Sequence, residues 1–232
     1  MLDVHIRKRR SAFNIDVALE LDDREPLGLF GASGAGKSTI LACIAGAETP
    51  DAGYVRLDDD TLFPPARPLH RRSIGYLTQD ANLFPHLSVA DNVAFGLTNG
   101  ARTENAAWVV QLRERLNLES IWRAPAHAIS GGQARRVALA RMLARKPRLV
   151  LLDEPFTGLD RDLMRELLAA LIDWRRELHF ITLIVDHDAA ILQRLCPRAL
   201  VIEEGRIVQH DTWNALTANP ATPHLARLLA PL

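Results

Sequence analysis

Apolar and polar residues alternate twice near the start of the chain. Leu2, Val4 and Ile6 make the first run, and Phe13, Ile15, Val17, Leu19 and Leu21 the second. A period of two predicts half-buried strands. The basic run Arg7–Arg10 would connect them as a hairpin. Pro26–Phe30 is a short apolar run suited to a buried strand, and Ser38–Ala47 is an apolar, helix-forming run. Thr49–Gly53 is turn chemistry, Tyr54–Leu57 reads as a strand, and Asp58–Asp60 as a solvated turn with no further metal ligands near it. Pro64, Pro65 and Pro68 mark an irregular loop before a strand at Ser73–Thr78.

From about Gln79 to Lys146 the spacing becomes helical, at Val89–Leu97, Glu104–Leu116 and Gly131–Ala144. Arg148–Leu152 returns to an unbroken apolar run, which suits a parallel strand buried on both faces. Leu163–Leu178 is an amphipathic helix, Phe180–Val185 a buried strand and Ala189–Leu195 a helix. Leu200–Glu203 and Arg206–Gln209 form a hairpin around Glu204–Gly205, and the tail from Trp213 to Leu232 is helical or irregular. The expected class is α/β: one domain over residues 1–232, a mixed sheet with antiparallel N-terminal strands, and a helical lobe at 80–146 inserted between two core strands.

Composition narrows the classes. Of 232 residues, 48% are apolar and 24% charged, as in an ordinary globular protein. Lys+Arg 28 balance Asp+Glu 28, so nucleic-acid binding through bulk charge is not expected. Cys43 and Cys196 form no Cys-x-x-Cys pair and read as buried small hydrophobes in a reducing compartment. The N-terminus has no signal-peptide core, and no window approaches the roughly eighteen uncharged apolar residues of a membrane span. A cytosolic chain is expected, with any membrane role supplied by a partner.

Chemistry enters at residues 31–39. Gly31, Ala32, Ser33, Gly34, Ala35, Gly36, Lys37, Ser38 and Thr39 fit the Gly-x-x-x-x-Gly-Lys-Ser/Thr phosphate loop, between a predicted strand and a predicted helix. The glycines let successive N–H groups converge on phosphate oxygens, Lys37 brings charge to the outer phosphates, and the Ser38 hydroxyl suits Mg²⁺. The core is then of the P-loop NTPase kind. Leu149–Pro155 is an apolar strand ending in Asp153, which would hold Mg²⁺ through its water shell, and Glu154, which would orient or deprotonate water. Ile129-Ser130-Gly131-Gly132-Gln133 opens a helix: Ser130 suits an N-cap, and the glycines admit phosphate to free N–H groups. Standing alone, that stretch would read first as a capped helix after a loop.

The motifs fall in a definite order. After the phosphate loop come Gln79 behind a strand, Ile-Ser-Gly-Gly-Gln at 129–133, Leu-Leu-Asp-Glu-Pro at 151–155, Thr-Gly-Leu-Asp at 157–160 and Val-Asp-His-Asp at 185–188. The series resembles the ATP-binding subunit of an ABC transporter over nearly the whole chain. The resemblance implies that Gln79 touches Mg²⁺ and the attacking water, and that His187 contacts the γ-phosphate. It places Asp160 at a dimer interface, and lets Ser130, Gly131, Gly132 and Gln133 bind the nucleotide of an opposing subunit. Two chains, identical or paralogous, would pack head-to-tail around two ATP molecules. Two departures stand out. Ile129 replaces the usual leucine, and Arg7–Arg10 occupies the place of an adenine-stacking aromatic. Adenine is left to Phe13 or to an arginine plane.

Residues 82–96 are similar to the lobe of bacterial importers that receives a membrane subunit. Leu83, Phe84, Pro85 and Leu87 would line that groove or pack the lobe's own core. Phe30–Lys37, Gln79–Ala81 and Leu83–His86 look most like molybdate-type oxyanion importers, with thiamine, sulfate, iron and polyamine importers close by. The resemblance implies ATP and Mg²⁺ as cofactors. The implied partners are permease subunits and, indirectly, a solute-binding protein, with no nucleic acid. The implied location is peripheral, on the cytoplasmic side of the bacterial inner membrane. Ending at Leu232, the chain is expected to lack a C-terminal regulatory domain. A soluble ABC ATPase acting on DNA or ribosomes is the alternative class.

Overall fold

The structure, a computed structural model, describes residues 1–97 and 106–230. Its strands are β1 (Leu2–Arg9), β2 (Asn14–Leu21), β3 (Leu27–Phe30), β4 (Ala52–Leu57), β5 (Asp60–Phe63), β6 (Ile74–Leu77), β7 (Leu149–Asp153), β8 (Ile181–Val185), β9 (Arg198–Glu203) and β10 (Arg206–Thr212). Its α-helices are α1 (Lys37–Ala45), α2 (Val89–Ala94), α3 (Ala106–Arg115), α4 (Gly131–Leu143), α5 (Arg161–Leu178), α6 (Ala189–Leu195), α7 (Trp213–Ala218) and α8 (Pro223–Leu229).

The alternating N-terminal runs pair as read. β1 and β2 are antiparallel, with Leu2 opposite Leu21 and Arg9 opposite Asn14. β4 pairs antiparallel with the other edge of β1, and β5 folds back on β4. The basic residues Arg7–Arg9 continue β1, paired with Asp16, Ile15 and Asn14, instead of forming the expected connection, which falls at residues 10–13. Two later boundaries also differ from expectation. β4 begins at Ala52, inside the predicted turn, and Asp60 opens a strand instead of ending a turn. The reversal itself sits at Asp58, with φ 51°. Only Leu62 of β5 is fully buried, so the strand offered no alternation to read.

β6, β7, β8, β3 and β9 make a parallel run, and β10 returns antiparallel along β9. One parallel register pair, Arg206 with Asp16, joins β10 to β2. The whole is a single sheet in the order β5-β4-β1-β2-β10-β9-β3-β8-β7-β6.

Period-two geometry sends alternate residues of the central strands to opposite faces. Leu149 and Leu151 of β7 join Ile181, Leu183 and Val185 of β8, Ile40, Leu41 and Ile44 of α1, and the apolar side of β1, β2 and β4. Val150 and Leu152 face the other way, onto Leu167, Leu168, Leu171 and Trp174 of α5 and the apolar sides of α2, α3 and α4. The last three helices lie between β6 and β7 in the chain. The expected helix from Glu104 has its first residues outside the described ones, as do the last two residues of the tail. Among the described residues no helix is long and apolar enough to cross a membrane.

Candidate nucleotide site

Register aligns the strand ends that build the site. Leu29 of β3 pairs with Val185 of β8, Val185 with Asp153 of β7, and Leu152 with Leu77 of β6. The residues that follow each strand therefore share one edge of the sheet: Gly31, Asp186–His187, Glu154 and Thr78–Gln79. Ligands of open α/β sheets bind at this carboxyl edge.

Between β3 and α1 runs the glycine loop. Gly31 has φ 152°, and a Cβ there would collide with the Ile202 carbonyl on β9. Gly36 caps α1 in the left-handed region, φ 101°, and brings no side-chain oxygen to the helix start. The first-turn N–H groups are thus left for an anion. Lys37 is 6% exposed. Its Nζ donates to the carbonyls of Gly31 and Ala32, at 2.8 Å each. Burial lowers its pKa, opposed by the charges of Glu154, Asp153 and Asp186.

Asp153 closes β7 and is buried. Burial pushes its carboxyl above the usual range, and a hydrogen bond from the Ser38 hydroxyl pulls it back. Next, Glu154 turns sharply at φ 47°, its N–H donating to the Val185 carbonyl at 2.9 Å. Its carboxylate accepts Gln79 Nε2 and Thr157 Oγ1, both at 3.4 Å. His187 Nδ1 lies 3.3 Å from the same carboxylate and 3.6 Å from Asp186. The structure therefore gathers Lys37, Ser38, Gln79, Asp153, Glu154 and His187 on one edge. Serine hydroxyl, carboxylate and amide oxygens are hard donors, and the set fits Mg²⁺ shared with phosphate oxygens.

Ser130, Gly131, Gly132, Gln133 and Asp160 are not part of that gathering. Ser130 and Gln133 close a capping box at the start of α4: Gln133 N–H donates to Ser130 Oγ at 3.3 Å, and Ser130 N–H to Gln133 Oε1 at 2.9 Å. A Cβ on Gly131 would meet nothing within 4 Å, so that helix start is open to approach. Asp160 caps α5, accepting from Asp162 N–H at 3.1 Å and Leu163 N–H at 2.9 Å. No hydrogen bond or ion pair among the described residues joins 130–133 to 31–39.

Phe13 packs behind the loop, within 3.2 Å of where a Gly36 Cβ would stand. It also lines a cavity of about 780 Å³ with Ala32–Ala35, Glu203, Glu204 and Arg206. Arg10 reaches the loop's far end, donating to Thr39 Oγ1 at 2.8 Å and Glu48 at 2.6 Å. On the lobe, Phe84 stacks on Phe95 at 4.1 Å, and Phe95 is 55% exposed. Buried Asn92 fixes Phe84 by bonding both its N–H (2.9 Å) and its carbonyl (3.1 Å). Sequence reading passed over Asn92 and also Arg135, a buried cation on α4 that holds backbone of the Gln79 and Glu154 turns. Their partners are main-chain atoms, which no sequence motif displays.

Fold and site together define a P-loop nucleotide-binding protein of the ABC ATPase architecture. The ABC transporter family model matches residues 15–157, and the chain belongs to that family. It is 40% identical over 217 residues to an Fe(3+) ions import ATP-binding protein, FbpC 2 of Pectobacterium atrosepticum, covering 92% of this chain and 62% of that protein. The chain thus spans less than two thirds of the length of that relative. The thiamine import ATP-binding protein ThiQ of Jannaschia sp. is 38% identical over 221 residues, 94% of this chain and 96% of its own length. The molybdenum import ATP-binding protein ModC 2 of Bradyrhizobium diazoefficiens is 35% identical over 227 residues, 96% of this chain and 25% of that protein. In fold, the chain superposes on the dimeric structure of MJ0796, a bacterial ABC transporter cassette, with TM-score 0.79, 24% identity, and 91% and 98% of the two chains covered.

Proposed function

We propose that this chain is the ATP-hydrolysing subunit of an importer. It works as a head-to-tail dimer bound to permease subunits at the cytoplasmic face of the bacterial inner membrane. One observation carries the hydrolytic reading: Gln79, Glu154 and His187 converge from three neighbouring strand ends beside a phosphate loop.

The loop N–H groups and Lys37 bind the phosphates of ATP, with Lys37 exchanging its Gly31 and Ala32 carbonyls for phosphate oxygens. Ser38, Gln79 and Asp153 would hold Mg²⁺, which neutralises phosphate charge when bound. Glu154 takes a proton from water as the water oxygen attacks the γ-phosphorus, and the bond to the ADP oxygen breaks. His187 donates toward the γ-phosphate and orients the Glu154 carboxylate. Ser130, Gly131, Gly132 and Gln133, unbonded to this chain's own loop among the described residues, serve the partner's nucleotide, and Asp160 lies beside them at the interface. Closure and reopening of the dimer then move the permease. Exposed Phe95, stacked on half-buried Phe84, supports a permease contact on the lobe. The relatives' names support a small solute, with ferric iron, molybdate and thiamine as the panel.

The test is Glu154→Gln. Turnover is expected to fall at least about 100-fold while ATP affinity holds within about threefold. Wild-type turnover in that variant would remove the base from the mechanism.

A further inference from the structure

Arg135 lies on α4, five residues past the Ser130 cap, and is 5% exposed. A guanidinium has five N–H donors in a rigid fork. Here five backbone carbonyls take them. Nη1 donates to Thr78 and Gln79 at 2.5 Å each, Nη2 to Asp153 at 3.0 Å and to Glu154, and Nε to Pro155 at 3.1 Å. No carboxylate forms an ion pair with it among the described residues.

Such an arrangement is a costly way to gain stability. Burying a cation carries a desolvation penalty that neutral carbonyls repay less well than a carboxylate. What it gains is geometry. The five acceptors fall in two segments, one behind β6 and one behind β7, and those segments carry Gln79 and Glu154. The Gln79 amide and Glu154 carboxylate meet at 3.4 Å across that gap. Moreover, Glu154 is pinned on both sides of its Cα. Its N–H is held by Val185, and its carbonyl by Arg135. The left-handed conformation at φ 47° is sparsely populated for a residue with a Cβ, and persists only where surroundings over-determine it.

We propose that Arg135 is the positioning residue that fixes the Glu154 carboxylate and the Gln79 amide relative to each other, and so sets the hydrolysis rate without touching nucleotide. This rests on Glu154 acting as the base. A lysine offers three donors from one point and a glutamine two, so neither spans both segments.

The experiment compares Arg135→Lys and Arg135→Gln with wild type in the full chain. It measures kcat, ATP affinity, and melting temperature with and without ATP and Mg²⁺. Both variants are expected to bind ATP within about threefold of wild type, keep the ATP-induced rise in melting temperature, and lose about 30-fold or more in kcat. Lysine, despite its charge, should rescue no more than a small part of the rate. Hydrolysis within threefold of wild type in either variant overturns the proposal. So does a loss of ATP affinity matching the loss of kcat, or disappearance of the ATP-induced rise, since either marks a structural role. Glu154→Gln run in parallel separates the two failures. Full-rate hydrolysis there sinks the base assignment, whereas an inactive Glu154→Gln beside a full-rate Arg135→Gln sinks only the positioning role.

Discussion

At the scale of single residues, buried ionisable groups divide by what surrounds them. Lys37, Asp153 and Asp186 are buried together at the strand ends, so each one's field offsets part of another's desolvation. Cys43 has no such company. It is 1% exposed on α1, and burial first, then the Glu48 charge, raises its thiol to about 11, against the smaller pull of Lys8 and Arg10. An acid whose pKa is raised by folding is bound more tightly to its proton in the native state. Its contribution to stability is therefore intact below pH 9.0, the unfolded value, and is lost as pH climbs toward about 11. A two-unit shift corresponds to about 3 kcal/mol at most. Cys196 is raised in the same direction by burial and adds to the loss. Melting curves between pH 8 and pH 11 should show Cys43→Ala losing visibly less stability than wild type across that interval. Parallel curves would mean that the native thiol ionises as easily as the unfolded one.

At the scale of elements, caps decide where helices begin, and the proposed dimer gives some of these caps a second duty. Asp160 accepts from two N–H groups at the start of α5, whose buried face is Leu167, Leu168, Leu171 and Trp174. As a cap alone, Asp160→Ala should cost about 1 kcal/mol in denaturant titrations, and Asp160→Asn only a few tenths. An interface role predicts more: both substitutions weaken ATP-driven dimerisation, because asparagine keeps the cap and loses the charge. If asparagine dimerises as wild type does, Asp160 is a cap and nothing else. The same distinction explains what could be read in the sequence. Helices and strands with strong periodicity, such as α5, β1 and β2, were visible because one face of each is buried. So were Ser130 and the glycine loop, whose backbone requirements select residue types. β5 was invisible because Asp60 and Thr61 face solvent, and its start looked like a continuing turn. Arg135 and Asn92 were invisible for a different reason. Their acceptors lie on main-chain atoms up to 57 residues away, which any side chain could accompany.

At the scale of the molecule, the proposed head-to-tail dimer requires each nucleotide site to be completed by the second chain. Phosphate loop, Glu154 and His187 share one edge, while among the described residues the open start of α4 at Gly131 makes no hydrogen bond or ion pair to the loop of its own chain. If the two halves complete each other across a two-fold axis, damage to them should complement between chains. Lys37→Ala spoils every phosphate loop in a homodimer, and Gly132→Glu spoils every facing helix start, so neither alone hydrolyses ATP. A mixed dimer is different. One of its sites combines both lesions, and the other combines the sound loop of one chain with the sound helix start of its partner. Mixing the two inactive variants in equal amounts should therefore restore roughly a quarter of wild-type turnover, if half the dimers are mixed and each has one working site of two. Placing both substitutions in one chain and mixing it with itself restores nothing. Were each chain's site built in cis, the mixture would stay as inactive as its parts, because every copy would carry a broken site of its own.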